Sequence, residues 1–422
     1  MSGPRRVDEQ LRRHIEPIIQ QELRSFRVII VNGPRQSGKS TLLRRLHAEL
    51  GGGMRDLDGD ALLQAALTDP TAFVSVRDRW LFIDEVQRGG DPLIRAIKQR
   101  VDDPANTTTF VLAGSSNFLT VPVLAESLAG RAVISEVWPF SQGERAGRIE
   151  RFLDRLVSVP EELMQIDCPR LSRTEYLDRV VGGGFPEPLG LPQGRLRSAW
   201  FRSYVQTVTQ RDIREFSGIR QIEELPRLLR FLAGSTAAEL VKTRLAQAAG
   251  MDRNTVGNYL PLLQTVYLIR ELPAWSRNPL GKVTRHPKVF VSDTGLAASL
   301  QGVTAESLEQ PVAPLRGPFV ETFVHNEMVK QRTWSDAEVN LHHWRDRAGA
   351  EVDLVVEELD GRVSGIECKA ALTVRSEDFR WLRVLQAKLG SRFGHGVVFY
   401  LGQEPLSFGP GMTALPLSAL WA

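Results

Sequence analysis

The stretch Gly33-Pro-Arg-Gln-Ser-Gly-Lys-Ser40 decides the fold of the N-terminal part of this chain, and its flanks give it meaning. The apolar run Arg27-Val-Ile-Ile-Val31 before it reads as a buried strand, and Thr41-Leu-Leu-Arg-Arg-Leu46 after it reads as the first turns of a helix. Strand, glycine-rich turn and helix in that order, with the spacing G-x-x-x-x-G-K-[ST], make a phosphate-binding loop. Gly33 and Gly38 let the backbone bend tightly and turn its N–H groups toward phosphate oxygens. The helix N-terminus adds partial positive charge where the anion sits. Pro34, Arg35, Gln36 and Ser37 complete the cradle, Lys39 reaches the β- and γ-phosphates, Ser40 offers its hydroxyl to magnesium, and Thr41 opens the helix. A chance match in a chain with 35 glycines would lack these flanks. The expected cofactors are ATP and magnesium.

A second strand, Arg79-Trp-Leu-Phe-Ile-Asp-Glu-Val86, ends in two carboxylates. Asp84 is placed to bind magnesium through water, and Glu85 to deprotonate the water that attacks the γ-phosphate. A general base there argues against a small-molecule kinase, which has no use for an activated water. A third strand, Thr109-Phe-Val-Leu-Ala-Gly-Ser-Ser-Asn117, carries Asn117 at its end as a second contact for that water or for the γ-phosphate. Arg131 follows an apolar helix and precedes the strand Val133–Val137. In a ring of subunits it would enter the neighbour's site as an arginine finger; the plain alternative is a solvated surface arginine.

This order of elements resembles the AAA-type ATPases. The phrases GPRQSGKSTLL, LFIDEVQR, LAGSSN and SLAGRAVISEVWPFSQGE are similar to a bacterial and archaeal branch whose ATPase domain is fused to a C-terminal domain of unknown function. GGGFPEP, QRDI, VFVSDTGL and GPFVETFVHNE are similar to that second half, so the resemblance covers nearly the whole chain. It implies ATP turnover and a homo-oligomeric ring, of which a hexamer is one size, and it strengthens the finger reading of Arg131.

Composition agrees with this. A chain of 422 residues holds two or three domains, and its 42% apolar and 24% charged residues are ordinary for a globular protein. The net charge of +3 excludes a polycation, although Arg5, Arg6, Arg12, Arg13, Arg24, Arg27, Arg44 and Arg45 bunch in a way that permits nucleic-acid contact. Cys168 and Cys368 lie too far apart in the chain to suggest a disulfide framework or a metal motif. No apolar run has the length of a bilayer span, so no membrane partner and a cytoplasmic location are expected.

The expected fold is α/β, with an AAA-type P-loop domain and parallel sheet over 1–145, a helical lid or connector over 146–225, a winged helix over 226–300, a linker over 301–317 and an α/β restriction-endonuclease-like domain over 318–422. Leu196 to Phe216 reads as one long helix, and the Arg211-Asp212 pair near its end has no assignable role. Leu240–Gly250 and Asn254–Leu263 have helix-turn-helix spacing, with Leu245, Ala246, Val256, Leu260 and Leu263 inward. Strands at 266–272 and 288–292 then frame a loop carrying Arg277, Lys282, Arg285, His286 and Lys288. That is a DNA-binding layout, and equally the layout of a packing module.

In the last domain a helix carries Glu321, a strand carries Asp353, and the next strand carries Glu367-Cys-Lys369. Asp353 and Glu367 at one end of adjacent strands would share a divalent metal, with Lys369 steering a water. The set resembles the restriction-endonuclease-like fold, with Glu321 as the helix carboxylate. The motif leaves open whether such a site cuts DNA, cuts RNA or only binds. Two function classes follow: an oligomeric ATPase acting on duplex or branched DNA, or a nucleotide switch whose C-terminal domain is a protein-interaction scaffold.

Overall fold

The computed structural model describes residues 11–114, 128, 130–214, 223–276, 286–346 and 348–422. Contacts divide the chain into two units, Met1–Phe140 with Thr265–Tyr267, and Ser141–Gln264 with Leu268–Ala422.

The first unit is built on five strands, β1 (Val28–Asn32), β2 (Gly53–Asp56), β3 (Trp80–Asp84), β4 (Thr109–Ala113) and β5 (Ala132–Glu136), in the order β2-β3-β4-β1-β5. All pairs are parallel. A parallel sheet is covered on both faces, and β1 is accordingly buried at every position. Its side chains alternate between two layers. Ile29 and Val31 join Ile15 and Ile19 with Leu42, Leu43 and Leu46 of the helix Lys39–Leu50. Val28 and Ile30 join Leu93, Ile94 and Ile97 of the helix Gly90–Asp102. The strands' C-terminal ends share one edge, so the turns after β1 and β3 emerge together, where open α/β sheets place their ligands.

In the second unit the helix Arg195–Thr207 passes into a π-helical turn at Val208–Asp212. Asp212 is buried, and the side chain of Arg211 lies outside the described residues. Next come the helix Leu225–Gly234, β6 (Ala238–Glu239), the helices Lys242–Ala249 and Arg253–Thr265, then β7 (Ile269–Leu272) and β8 (Lys288–Val291). The three strands form a sheet in the order β6-β8-β7. The five apolar positions expected to face inward here are all buried. Gly250 ends the first helix of the pair in the left-handed region at φ 61°, where a glycine is unstrained. Arg277, Lys282 and Arg285 lie outside the described residues. The expected linker over 301–317 is partly ordered: Thr304 caps a helix Ala305–Glu309 that buries Ala305 and Leu308.

The remaining sheet contains β9 (Val339–Arg345), β10 (Glu351–Glu358), β11 (Val363–Lys369), β12 (Phe393–Tyr400), β13 (Leu406–Ser407) and β14 (Met412–Pro416), in the order β13-β14-β12-β11-β10-β9. β9, β10 and β11 pair antiparallel, while β11, β12 and β14 pair parallel. The helices Arg316–Gln331 and Arg380–Leu389 both pack on β11. Arg316–Gln331 is buried along almost its whole length from Phe319, and its polar side chains are bonded accordingly. Thr322 meets Thr236 at 2.8 Å, Asn326 donates to the Val291 carbonyl at 3.0 Å, and Gln331 donates to the Leu420 carbonyl at 2.7 Å.

Candidate functional site

The loop after β1 has the conformation its glycines allow. Gly33 sits at φ 147° and Gly38 at φ 99°. A Cβ on Gly33 would lie 2.1 Å from the Val137 carbonyl oxygen, so no other residue fits there. Gln36 at φ 60° and Glu85 at φ 50° place non-glycine residues in the left-handed region, strain of the kind held at working sites. Lys39 is buried and folds back on its own loop, donating to the Gly33 carbonyl at 2.9 Å and the Pro34 carbonyl at 2.7 Å. Pro34 also accepts from the Ser37 N–H at 3.2 Å, which closes the turn.

The Ser40 hydroxyl hydrogen-bonds to Asp84, and Lys39 adds its positive charge to the same carboxylate. Asp84 also accepts from the Glu85 N–H at 3.0 Å. Burial raises the Asp84 carboxyl above its usual range against the pull of Ser40, Glu85 and Lys39. Burial raises Glu85 too, against Lys39 and a hydrogen bond from Gln87. The structure therefore brings Lys39, Ser40, Asp84 and Glu85 together, with Gly33 to Gly38 beside them. Asn117 lies outside the described residues. Arg131 stands at the other end of the sheet, just before the β5 residue Ala132 that pairs with Val28, while Asn32 at the loop pairs with Glu136. The four residue steps from Ala132 to Glu136 span about 13 Å. Its guanidinium holds Asp102 in a two-point pair, at 2.5 Å from Nε and 3.0 Å from Nη2.

Arg13 belongs to the site in a role the sequence does not disclose. It is no surface cation, being 7% exposed. It donates to the Ser37 carbonyl at 3.3 Å and to the Trp138 carbonyl, and lies 4.5 Å over the Phe140 ring. It thus fastens the loop backbone to the segment after β5. Magnesium and ATP fit these residues. The Ser40 hydroxyl and the Asp84 carboxylate already adjoin, and the buried Asn32 carboxamide and Ser37 hydroxyl at the loop have no partner among the described residues.

The C-terminal set is arranged otherwise. Asp353 lies two residues from Glu351 on one face of β10, and the pairing of Leu354 with Ile366, continued by one step, sets Asp353 opposite Glu367. Glu321 comes from the helix, as expected. Between them, however, lies the ammonium of Lys288, 2.7 Å from Glu321, 2.8 Å from Glu351 and 3.4 Å from Asp353. Asp353 spends its other oxygen on the Cys368 N–H at 3.0 Å. Lys369 lies 3.7 Å from Glu367 and 3.9 Å from Asp378. Among the described residues no group of three histidines, cysteines or acids is arranged to hold a metal.

The expected divalent metal on Asp353 and Glu367 would have to share this space with a buried ammonium that already pairs with Glu321, Glu351 and Asp353. Lys288, 2% exposed, belongs to this buried cluster and not to the basic loop expected before β8. Burial acts to lower the Lys288 pKa, but Glu321, Asp353 and Glu351 outweigh it and hold the ammonium charged. Burial, then Asp353, raises Glu321 to about 8. Glu367 is likewise raised well above its usual value, by burial and then by Asp353.

Comparison with known proteins matches this architecture piece by piece. Residues 25–146 match the AAA domain family, 173–307 a domain of unknown function (DUF8612) and 316–420 another (DUF4143). The N-terminal unit carries an AAA-type ATPase domain. The uncharacterized protein Rv2008c of Mycobacterium tuberculosis is 27% identical over 349 residues, covering 82% of this chain and 71% of its own. The uncharacterized protein MJ1544 of Methanocaldococcus jannaschii is 23% identical, covering 63% of this chain and 60% of its own. Among solved structures, the Walker-type ATPase PABY2304 of Pyrococcus abyssi is 16% identical, covers 68% of this chain and 95% of its own, and has a TM-score of 0.43. The Thermotoga maritima RuvB Holliday junction branch migration motor is 16% identical, covers 64% and 93%, and has a TM-score of 0.27. Likenesses this loose carry no argument about activity. No helix among the described residues is long and apolar enough to cross a membrane.

Proposed function

We propose that the chain is a magnesium-dependent ATP hydrolase that works as a homo-oligomer on DNA. The observation that carries the catalytic reading is the meeting of Lys39, Ser40, Asp84 and Glu85 at one sheet edge. On nucleotide binding Lys39 exchanges the carbonyls of Gly33 and Pro34 for β- and γ-phosphate oxygens, and the loop N–H groups close on the phosphates. Ser40 and Asp84 would hold magnesium, which supplies charge neutralisation at the phosphates. Glu85 takes the proton of the attacking water; its raised pKa brings it nearer neutrality, where a general base works best. Asn117 orients that water, and Arg131 leaves Asp102 to stabilise the transition-state charge in a neighbouring copy.

The DNA reading is supported by the module Leu225–Val291, whose helix and strand order is that of a winged helix. Its helix pair exposes Arg244, Gln247, Arg253, Asn254 and Asn258, and Asn254 and Asn258, four residues apart, share a helix face. The lysine-filled acidic site favours a C-terminal domain that binds or braces without cutting. The test is the ATPase rate without DNA and with duplex, single-stranded and four-way-junction DNA. Stimulation by at least one supports the assignment. Equal rates with all would leave an ATPase whose second unit is a protein scaffold.

A further inference from the structure

Three arginines of the second unit converge with no carboxylate at ion-pair distance among the described residues. Arg145 and Arg179 both donate Nη1 to a single acceptor, the Gln142 side-chain oxygen, at 3.2 and 3.1 Å. A Cβ on Gly182 would lie 3.9 Å from Arg197 Nη1 and 4.0 Å from Arg145 Nη1, so the third guanidinium faces the same point. Their other bonds go to neutral groups. Arg145 donates to the Gly183 carbonyl at 3.1 Å, Arg197 to the Leu191 carbonyl at 2.9 Å, and Arg179 lies 5.4 Å over the Trp421 ring. Arg197 Nε is buried with no partner among the described residues.

The acids nearby are committed elsewhere. Glu175 accepts from the Ser172 N–H and hydroxyl, both at 2.7 Å, and Asp178 accepts from Gln193 at 3.4 Å. Glu327 accepts from Lys330 at 2.7 Å and from the Gln142 N–H at 2.8 Å. Among the described residues none of the three arginines has a carboxylate within ion-pair distance. Burial, and next the charge of Arg179, presses the Arg145 pKa down to about 10. The arginines line an open cavity of about 290 Å³ together with Gly182, Glu175 and Asp178.

Guanidinium groups brought together against their mutual repulsion, with free N–H donors and room between them, match the geometry of a phosphate better than that of any other common anion. The volume lies near the lower end of small-molecule sites. We propose that this pocket binds a terminal phosphoryl dianion, such as the phosphate or diphosphate end of a ligand. None of its lining residues belongs to the P-loop, and the proposal stands independently of the ATPase reading.

The test is calorimetric titration of pyrophosphate into the full chain carrying Lys39→Ala, which cripples the P-loop as a competing phosphate site. Arg179→Gln and Arg197→Gln are then added singly to that background, with far-UV circular dichroism as the check of folding. Saturable binding that weakens at least tenfold in each arginine variant, and that potassium chloride at matched ionic strength does not mimic, is the expected result. Displacement of pyrophosphate by a 5′-phosphorylated oligonucleotide, and not by its unphosphorylated form, would support the site and assign the phosphate to a strand end. Failure of both to compete would support it with a small ligand as the source. No saturable binding, or equal binding with and without Arg179 and Arg197, overturns the proposal.

Discussion

Replacing Lys288 by methionine removes the ammonium that faces Glu321, Glu351 and Asp353, at 2.7, 2.8 and 3.4 Å. Methionine keeps most of the side-chain volume, so the perturbation is one of charge. Deleting one partner of a buried ion cluster costs about 3–5 kcal/mol, because the buried carboxyls left behind lose their counter-charge and must stay charged in repulsion or take up protons. For a unit of this size about 2–4 °C of melting temperature is lost per kcal/mol, which gives a fall of about 6–20 °C. The cost must also depend on pH. Glu321 has its folded-state pKa raised from 4.5 to about 8, so its contribution to stability is fully present below pH 4.5 and is lost as pH rises through 8. Without Lys288, which pulls that value down, the Glu321 carboxyl moves further up and the high-pH loss grows. Calorimetric melting at pH 5 and pH 8 is therefore expected to show a gap between wild type and Lys288→Met that is wider at pH 8. Manganese should recover part of the loss in the variant and none in the wild type. Equal melting of the two proteins, or a gap indifferent to pH, would refute the ion-cluster reasoning.

Lys39→Ala is expected to weaken ATP binding at least tenfold in equilibrium binding, because the β- and γ-phosphate charge loses its cation. If Arg131 acts in a neighbouring copy, specific ATPase activity should rise with protein concentration, and mixing Arg131→Ala with Lys39→Ala protein should restore turnover at mixed interfaces. Full-rate hydrolysis by a dilute monomer would contradict that. The pair Asn254→Ala and Asn258→Ala should weaken duplex binding in a fluorescence-anisotropy titration while leaving DNA-free ATP turnover unchanged; undiminished binding would move the DNA contact to another surface.

What the sequence disclosed follows the range of the interactions concerned. The loop from Gly33 to Ser40 and the Asp84-Glu85 strand end are local patterns, since a few adjacent residues fix both conformation and chemistry, and the structure places them side by side. In the sequence Arg13 is one of a bunch of basic residues, because its partners, Ser37 and Trp138, are distant in the chain. Lys288 opens a strand beside basic loop residues and looks like one of them; only the packing of β8 against the helix of Glu321 and against β10 shows it to be an internal counter-ion. Glu351 could have been found by the two-residue period of β10, two places before Asp353 on the same face.

The phrases GGGFPEP, VSDTGL and FVHNE stood out as marks of kinship without a role. They turn out to meet in the core of the second unit. Asp293 accepts from the Gly184 N–H at 2.7 Å and the Leu296 N–H at 2.9 Å, and Glu327 from the Gln142 N–H. A Cβ on Gly183 would strike the Asp293 carboxylate at 2.3 Å, which explains the glycine there. The bonds from Gly184 to Asp293 and from Gln142 to Glu327 cross more than a hundred residues, and no local pattern encodes them.

The central claim is that Glu85 activates water beside a nucleotide held by Lys39 and Ser40, and the Glu85→Gln variant tests it most directly. The substitution keeps the shape and the contact with Gln87 and removes only the base. Phosphate release under saturating ATP should fall about 10²–10⁴-fold, while the equilibrium affinity for ATP measured with the same protein stays within a few-fold of wild type. Wild-type turnover by Glu85→Gln would contradict the account.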